Sequence, residues 1–204
     1  YYNTSLILRN GVDSFIRSIF ITYNVFNPIL AFLLLVIIIC IFINNKNPIS
    51  FINLDLVYFI NMFFESLLWS ILLLLFLSTL DTSLLLIINN YAIESIYFAF
   101  GAGIWEELIF RLLLFNLLMN LFTIILGFNY HFSILFIIFI SSFLFSIFHY
   151  IGFYSEIFYY NTFLLRFFAG IFLSILFLLR GFGITVYTHI FYDLFIAINV
   201  NNNV

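Results

Sequence analysis

The amino-acid sequence predicts an all-α protein, a polytopic bundle of about six transmembrane helices. Of its 204 residues, 66% are apolar and only 7% are charged, whereas about 25% of the residues of a soluble domain are charged. Several apolar runs are also long enough to cross a bilayer core of about 30 Å. The six basic and nine acidic residues give a net charge of −3, so no basic surface for nucleic acid is expected. A single cysteine excludes a disulfide framework within the chain.

The N-terminal part, residues 1–90, is predicted to hold an interfacial segment and two membrane spans. Within residues 1–24, charged residues four apart lie beside an apolar stripe, which is typical of a helix at the membrane surface. The alternative is that this segment is the remnant of an earlier element. The first span is predicted from about Pro28 to Ile43, with the proline at its start, where a missing N–H has little effect. The second covers roughly Leu56 to Leu80 and carries Glu65, an acid without a partner nearby in the sequence.

Residues 91–200 are predicted to form four further spans. Their approximate bounds are Ala92–Leu121, Phe132–Tyr150, Ile157–Leu179 and Ile184–Val200. In the fifth span, Gly170 and Ser174 form a small-x-x-x-small pattern that permits another helix to approach closely. The glycines after Arg180 predict a tight turn between the last two spans.

Three ionisable side chains interrupt the apolar third span: Glu106, Glu107 and Arg111. On a helix, Glu107 and Arg111 lie four residues apart on one face, with the acid N-terminal, the better orientation for an ion pair. Glu106 lies about 100° round the helix from Glu107, so it cannot share that arginine equally. An acid that lacks a permanent ion-pair partner in a low-dielectric environment is suited to transferring protons. The alternative is an ion pair that only holds helices together.

Further ionisable residues lie in the fourth and sixth spans. His149 stands near the end of the fourth, and His189 and Asp193 lie four residues apart on one face of the sixth. Such groups are rare in hydrocarbon and usually face one another or a wet cavity, so we expect one hydrolytic site. Measured from the face where the third span begins, Glu106 lies roughly 21 Å deep but His149 only about 2 Å. A shared site therefore requires a shallower Glu106 and a deeper His149, and the third span is longer than a bilayer needs.

Three motifs occur in order in separate spans: Glu106-Glu107-x-x-x-Arg111, Phe145-x-x-x-His149 and His189-x-x-x-Asp193. This ordered set resembles the CAAX protease and bacteriocin-processing family of intramembrane endopeptidases, also called the CPBP or ABI family. The resemblance covers about residues 90–200. It implies an endopeptidase that hydrolyses a peptide bond of a membrane-associated protein or peptide, with residues 91–200 as its catalytic helix bundle. It also implies an integral multi-pass protein of a bacterial cell membrane.

The resemblance implies a glutamate mechanism without a metal cofactor. Glu106 and His149 would activate a water that attacks the scissile carbonyl, and Glu107 and Arg111 would order the site. A zinc protease is the nearest rival enzyme, because His149, His189 and a carboxylate could bind Zn²⁺. The chain has no His-Glu-x-x-His motif.

By the same resemblance, His189 and Asp193 would hold or stabilise the oxyanion. The last position of the motif is Asn in the prenyl-protein endopeptidases and either Asn or Asp in wider bacterial members. An ionised Asp would repel an oxyanion, so Asp193 must either be protonated or instead orient His189. Because of this difference, the resemblance is a weaker argument that this chain acts on a prenylated substrate.

Two rival functions come from other classes of protein. A transporter or ion pathway also places acids and histidines inside the membrane, and a catalytically silent binding protein could share the fold. Peptide cleavage that disappears in Glu106→Gln would favour the protease. Ion flux in reconstituted vesicles would favour the transporter, and the absence of both activities would leave the binding protein.

Overall fold

The computed structural model describes residues 55–80, 92–151 and 157–199, and the elements in these ranges are all helices. In chain order they are α1 (Leu56–Leu80), α2 (Ala92–Glu107), a π-helical segment (Leu108–Leu113), α3 (Leu114–Asn120), a second π-helical segment (Leu121–Ile125), α4 (Tyr130–Phe148), α5 (Tyr160–Arg180) and α6 (Phe182–Asn199). The predicted all-α fold is confirmed. The predicted interfacial helix and first span lie outside the described residues, and the division near residue 90 stays a prediction.

Several of these helices have the length and composition of membrane spans. Within the described ranges, four stretches are long and apolar enough to cross a membrane: Leu56–Leu80, Ala99–Ile125, Tyr130–Phe148 and Tyr160–Arg180. Among the residues whose side chains the structure describes, α6 contributes the apolar stretch Phe182–Ile196. These helices correspond to the predicted second to sixth spans, with ends that differ by a few residues. Many large apolar side chains of α1 are exposed, as on a lipid-facing surface. The chain is an integral membrane protein.

The third span is not a uniform α-helix, because two π-helical segments interrupt it. Such segments are rare and often occur at functional sites. The first one begins directly after Glu107 and contains Arg111. Ser141 of α4 donates a hydrogen bond of 2.9 Å to the carbonyl of Phe110 inside this segment, and all these groups are buried. The first π-helical segment therefore contains part of the acidic motif, and a hydrogen bond from α4 stabilises it.

Two glycines allow helices to approach closely. A Cβ on Gly170 would lie 3.0 Å from the backbone of Ser142, so α5 packs against α4 at a position without a side chain. A Cβ on Gly103 would lie 3.2 Å from the backbone oxygen of Val186, which sets α2 equally close to α6. The close approach predicted at Gly170 is confirmed. The ionisable residues of α2, α4 and α6 are thereby brought toward one another.

The turn between α5 and α6 lies beside α1. Arg180 Nη2 donates a hydrogen bond of 2.6 Å to Glu65 Oε2, and a contact from its Nε to Oε1 completes a bidentate ion pair. Trp69 Nε1 donates to the same carboxylate over 3.3 Å. A Cβ on Gly183 would lie 3.2 Å from the sulfur of Met62. The turn therefore sits beside the second and third turns of α1, not level with its start.

Candidate active site

Three buried ionisable groups form the centre of the site. Glu107 and Arg111 are fully buried, and His189 is 5% exposed. Arg111 Nη1 lies 3.1 Å from Glu107 Oε1, and His189 Nδ1 lies 2.7 Å from the same oxygen. The predicted pairing of Glu107 with Arg111 is therefore confirmed. Because a carboxylate only accepts hydrogen bonds, the Nδ1 of His189 carries a proton.

Arg111 is held by two further helices. Its Nη2 donates to the backbone carbonyl of Gly170 on α5 over 3.3 Å. Its guanidinium carbon lies 4.4 Å from the ring centroid of Phe145 on α4, a cation–π contact. The guanidinium of Arg111 thus contacts a carboxylate, a backbone carbonyl and the face of an aromatic ring. These contacts join the acidic motif to α4 and α5.

Glu106 faces a different partner. Its Oε2 lies 3.9 Å from His149 Nε2, which is too long for a direct hydrogen bond. His149 Nδ1 lies 3.0 Å from the carbonyl of Phe145. A carbonyl only accepts, so Nδ1 holds a proton. Side-chain exposures are 5% for Glu106 and 23% for His149, and Nε2 offers a lone pair toward the carboxylate when the imidazole is neutral.

Asp193 contacts the outer nitrogen of His189. Its Oδ2 lies 3.6 Å from His189 Nε2, and its side chain is 27% exposed. The imidazole of His189 therefore lies between two carboxylates, the buried Glu107 and the more exposed Asp193. Of the two roles considered for Asp193, this contact favours the one in which it orients His189.

Phe145 packs among these groups, although the sequence suggested no role for it beyond its place in a motif. Its ring centroid lies 5.4 Å from that of His149 and 5.9 Å from that of His189, both edge to face. Phe110 packs against it at 5.6 Å. The signal in the sequence is its spacing, because residues four apart share one face of a helix. Phe145 thus contacts both imidazoles and the guanidinium of Arg111.

All six predicted site residues lie where α2, the first π-helical segment, α4 and α6 meet: Glu106, Glu107, Arg111, His149, His189 and Asp193. The helices are offset along their axes, because the side chains of Glu106 and His149 approach to 3.9 Å although the depths counted from the span ends differ. Glu65 lies apart from the cluster, in its ion pair with Arg180.

The donor atoms of the site can be compared with those of a zinc site. Within the described part of the chain, no three His, Cys, Asp or Glu side chains are grouped to hold a metal ion. Zinc ligands place their donor atoms about 2.0–2.3 Å from one point. Here the two nitrogens of His189 face two different carboxylates, and one nitrogen of His149 faces a carbonyl.

The chain can also be compared with known proteins. A family model described as Rce1-like, type II CAAX prenyl endopeptidase, matches residues 88–195. The match covers just over half of the chain and includes all three motifs. The chain belongs to this family. The Rce1-like family is a family of membrane-embedded proteases, so the resemblance inferred from the motifs is confirmed. The chain matches no curated protein and no solved structure.

Proposed function

We propose that this Rce1-like protein is an endopeptidase that uses water, activated by Glu106 and His149, to cleave a membrane-associated protein or peptide. The observation that carries the proposal is the 3.9 Å approach of Glu106 Oε2 and His149 Nε2 inside an apolar bundle. With a neutral His149, its Nε2 and the Glu106 carboxylate both accept hydrogen bonds, and one water can donate to each of them. The separation of 3.9 Å allows such a water to lie about 2.8 Å from each atom, to one side of the line that joins them.

In the proposed reaction, Glu106 removes one proton from this water while His149 holds the other. The water oxygen bonds to the carbonyl carbon, and the carbonyl electron pair moves onto its oxygen. When this tetrahedral intermediate collapses, the C–N bond breaks and the proton on Glu106 passes to the leaving nitrogen. The products are a carboxylic acid and an amine, and Glu106 is again a carboxylate. No reactant other than peptide and water is consumed.

His189 is the proposed stabiliser of the oxyanion. Its Nδ1 already donates to Glu107 over 2.7 Å, so only a second proton, on Nε2, lets it donate to the substrate oxygen. The carboxylates of Glu107 and Asp193 on its two sides favour that cationic form. Arg111 supplies a further positive charge beside Glu107. Loss of one such oxyanion donor lowers kcat by about 10²- to 10³-fold in other enzymes.

The test uses the full chain in nanodiscs with fluorogenic peptides, prenylated and unprenylated. We expect Glu106→Gln and His149→Ala to lower cleavage by about 10²- to 10⁴-fold, the usual contribution of general acid–base catalysis. Glu65→Gln is the matched control, because it neutralises an acid of another span that contacts Arg180 instead of the cluster. Full activity in Glu106→Gln would remove Glu106 from the mechanism.

Two additional measurements separate the alternatives. We expect EDTA and phenanthroline to leave cleavage unchanged, whereas loss of activity that Zn²⁺ restores would contradict a metal-free mechanism. If the wild-type chain cleaves no peptide but conducts ions in vesicles, the transporter alternative replaces the protease. Trapping with the Glu106→Gln protein in native membranes, followed by mass spectrometry of what stays bound, would identify the substrate.

A further inference from the structure

We propose that Tyr150, Thr162 and Arg166 form a positioning clamp that holds the end of α4, and with it His149, at the distance from Glu106 that hydrolysis needs. The catalytic consequence rests on the proposed function, whereas the clamp itself consists of contacts between α4 and α5. None of the three residues belongs to the motifs of the family. They are positioning residues, because they act through His149.

The clamp is a directed chain of hydrogen bonds. Arg166 Nη1 donates to the phenol oxygen of Tyr150 over 3.1 Å, and this oxygen lies 2.8 Å from Thr162 Oγ1. Thr162 Oγ1 donates to the backbone carbonyl of Tyr159 over 2.9 Å. Because threonine has one hydroxyl proton, Tyr150 must be the donor to Thr162. Each bond in such a chain polarises the next and strengthens it.

His149 needs an external hold because α4 ends there. It is the C-cap residue of the helix, and its backbone N–H reaches the carbonyl of Ser146 over 3.4 Å. The N–H of Ile151 is equally far from its acceptor. Between them, the N–H of Tyr150 reaches the carbonyl of Ile147 over 3.0 Å, so one ordinary bond and two long, weak ones hold this end of the helix. The contact of the imidazole with its own helix orients the ring but does not fix this turn relative to the other helices.

Two connections to α5 lie on either side of His149. Ser146, three residues before it, donates to the carbonyl of Phe163 over 2.7 Å. Tyr150, one residue after it, belongs to the clamp. With both connections in place, the last turn of α4 cannot move along α5 without breaking several hydrogen bonds. A misplacement of 1 Å in an active site can lower the rate about 10²-fold, so this restraint bears directly on the reaction.

Tyr150→Phe is the most informative variant. It removes the hydroxyl that joins the two helices and keeps the ring in its aromatic contacts. Arg166 is less suitable, because its replacement would also remove a positive charge from the bundle. Thr162→Val serves as a second variant because it removes the acceptor of the tyrosine proton. Tyr160→Phe is the matched control, since Tyr160 is 66% exposed at the start of α5.

We expect Tyr150→Phe and Thr162→Val to lower kcat about 10- to 100-fold and to change KM by less than about twofold. Tyr160→Phe should change neither constant. An unchanged kcat in both clamp variants would overturn the proposal. An increase in KM at unchanged kcat would do so too, because the cluster would then be a substrate-binding element.

A second measurement needs no substrate. Diethyl pyrocarbonate modifies accessible imidazoles, and mass spectrometry of the full chain reports the rate at His149, which is 23% exposed. A freer end of α4 should raise this rate severalfold in Tyr150→Phe but not in Tyr160→Phe. If the wild-type chain cleaves no peptide, the proposed function fails and this rate alone decides the clamp. An unchanged rate would then overturn it.

Discussion

Replacement of Arg111 by methionine should destabilise the fold more than any other single change in the site. Arg111 and Glu107 are fully buried, and their charged atoms lie 3.1 Å apart. Breaking a buried pair from one side typically costs about 3–5 kcal/mol, because the other charge is left without compensation. His189 stays 2.7 Å from Glu107 and offsets part of this loss. We therefore expect about 3 kcal/mol, near the lower limit of that range.

The assay is thermal unfolding in detergent, together with the size-exclusion profile. For a chain of this length, about 3 kcal/mol corresponds to a fall in Tm of about 6–12 °C. Glu106→Gln should melt near the wild type, because it removes a desolvated charge and keeps the shape. The double variant Arg111→Met/Glu107→Gln should recover part of the loss, since no unpaired carboxylate remains. A Tm of Arg111→Met within about 2 °C of the wild type, or no recovery in the double variant, would refute the reasoning.

Two other predictions concern single hydrogen-bonding groups. Asp193→Asn should keep kcat/KM within about tenfold of the wild type, because an amide oxygen can take the place of Asp193 Oδ2 beside His189 Nε2. Asp193→Ala should fall further, since it leaves no acceptor there. Equal losses in the two variants would show that the negative charge itself is needed. Ser141→Ala should lower the free energy of unfolding by about 1–3 kcal/mol, since it removes the buried donor to the Phe110 carbonyl. Ser142→Ala is its control in the same melting assay, because that hydroxyl only bonds within its own helix. Equal melting of the two serine variants would contradict this role of Ser141.

The membrane spans and the Glu107–Arg111 pair could be predicted because each depends on local properties of the chain. Hydropathy over about 20 residues identifies a span, and a spacing of four places two side chains on one helical face. The pairing of Glu65 with Arg180 could not be predicted, because these residues are 115 positions apart. Their contact depends on how α5 packs against α1.

The position of His149 relative to Glu106 shows a second limit of sequence reasoning. Depths counted from helix ends assume that neighbouring helices begin level with one another. In the structure Glu106 Oε2 and His149 Nε2 lie 3.9 Å apart, so these helix ends are not level and the count misjudges the relative depth of the two residues. The π-helical segments were also not predicted, because apolar sequence alone does not distinguish them from an α-helix. Ser141 takes part in one of them from another helix, which is a tertiary contact.

The recessed turn between α5 and α6 has a consequence for the surrounding lipid. α1 begins at Leu56, nine residues before Glu65, so its first part extends about 13 Å beyond the level of the turn at 1.5 Å per residue. Lipids next to this turn must shorten or tilt their chains, at a cost of fractions of a kcal/mol per Å of mismatch. Headgroups and water then reach the partly exposed Glu65–Arg180 pair. We expect bilayers of shorter acyl chains to suit this protein better than thick ones.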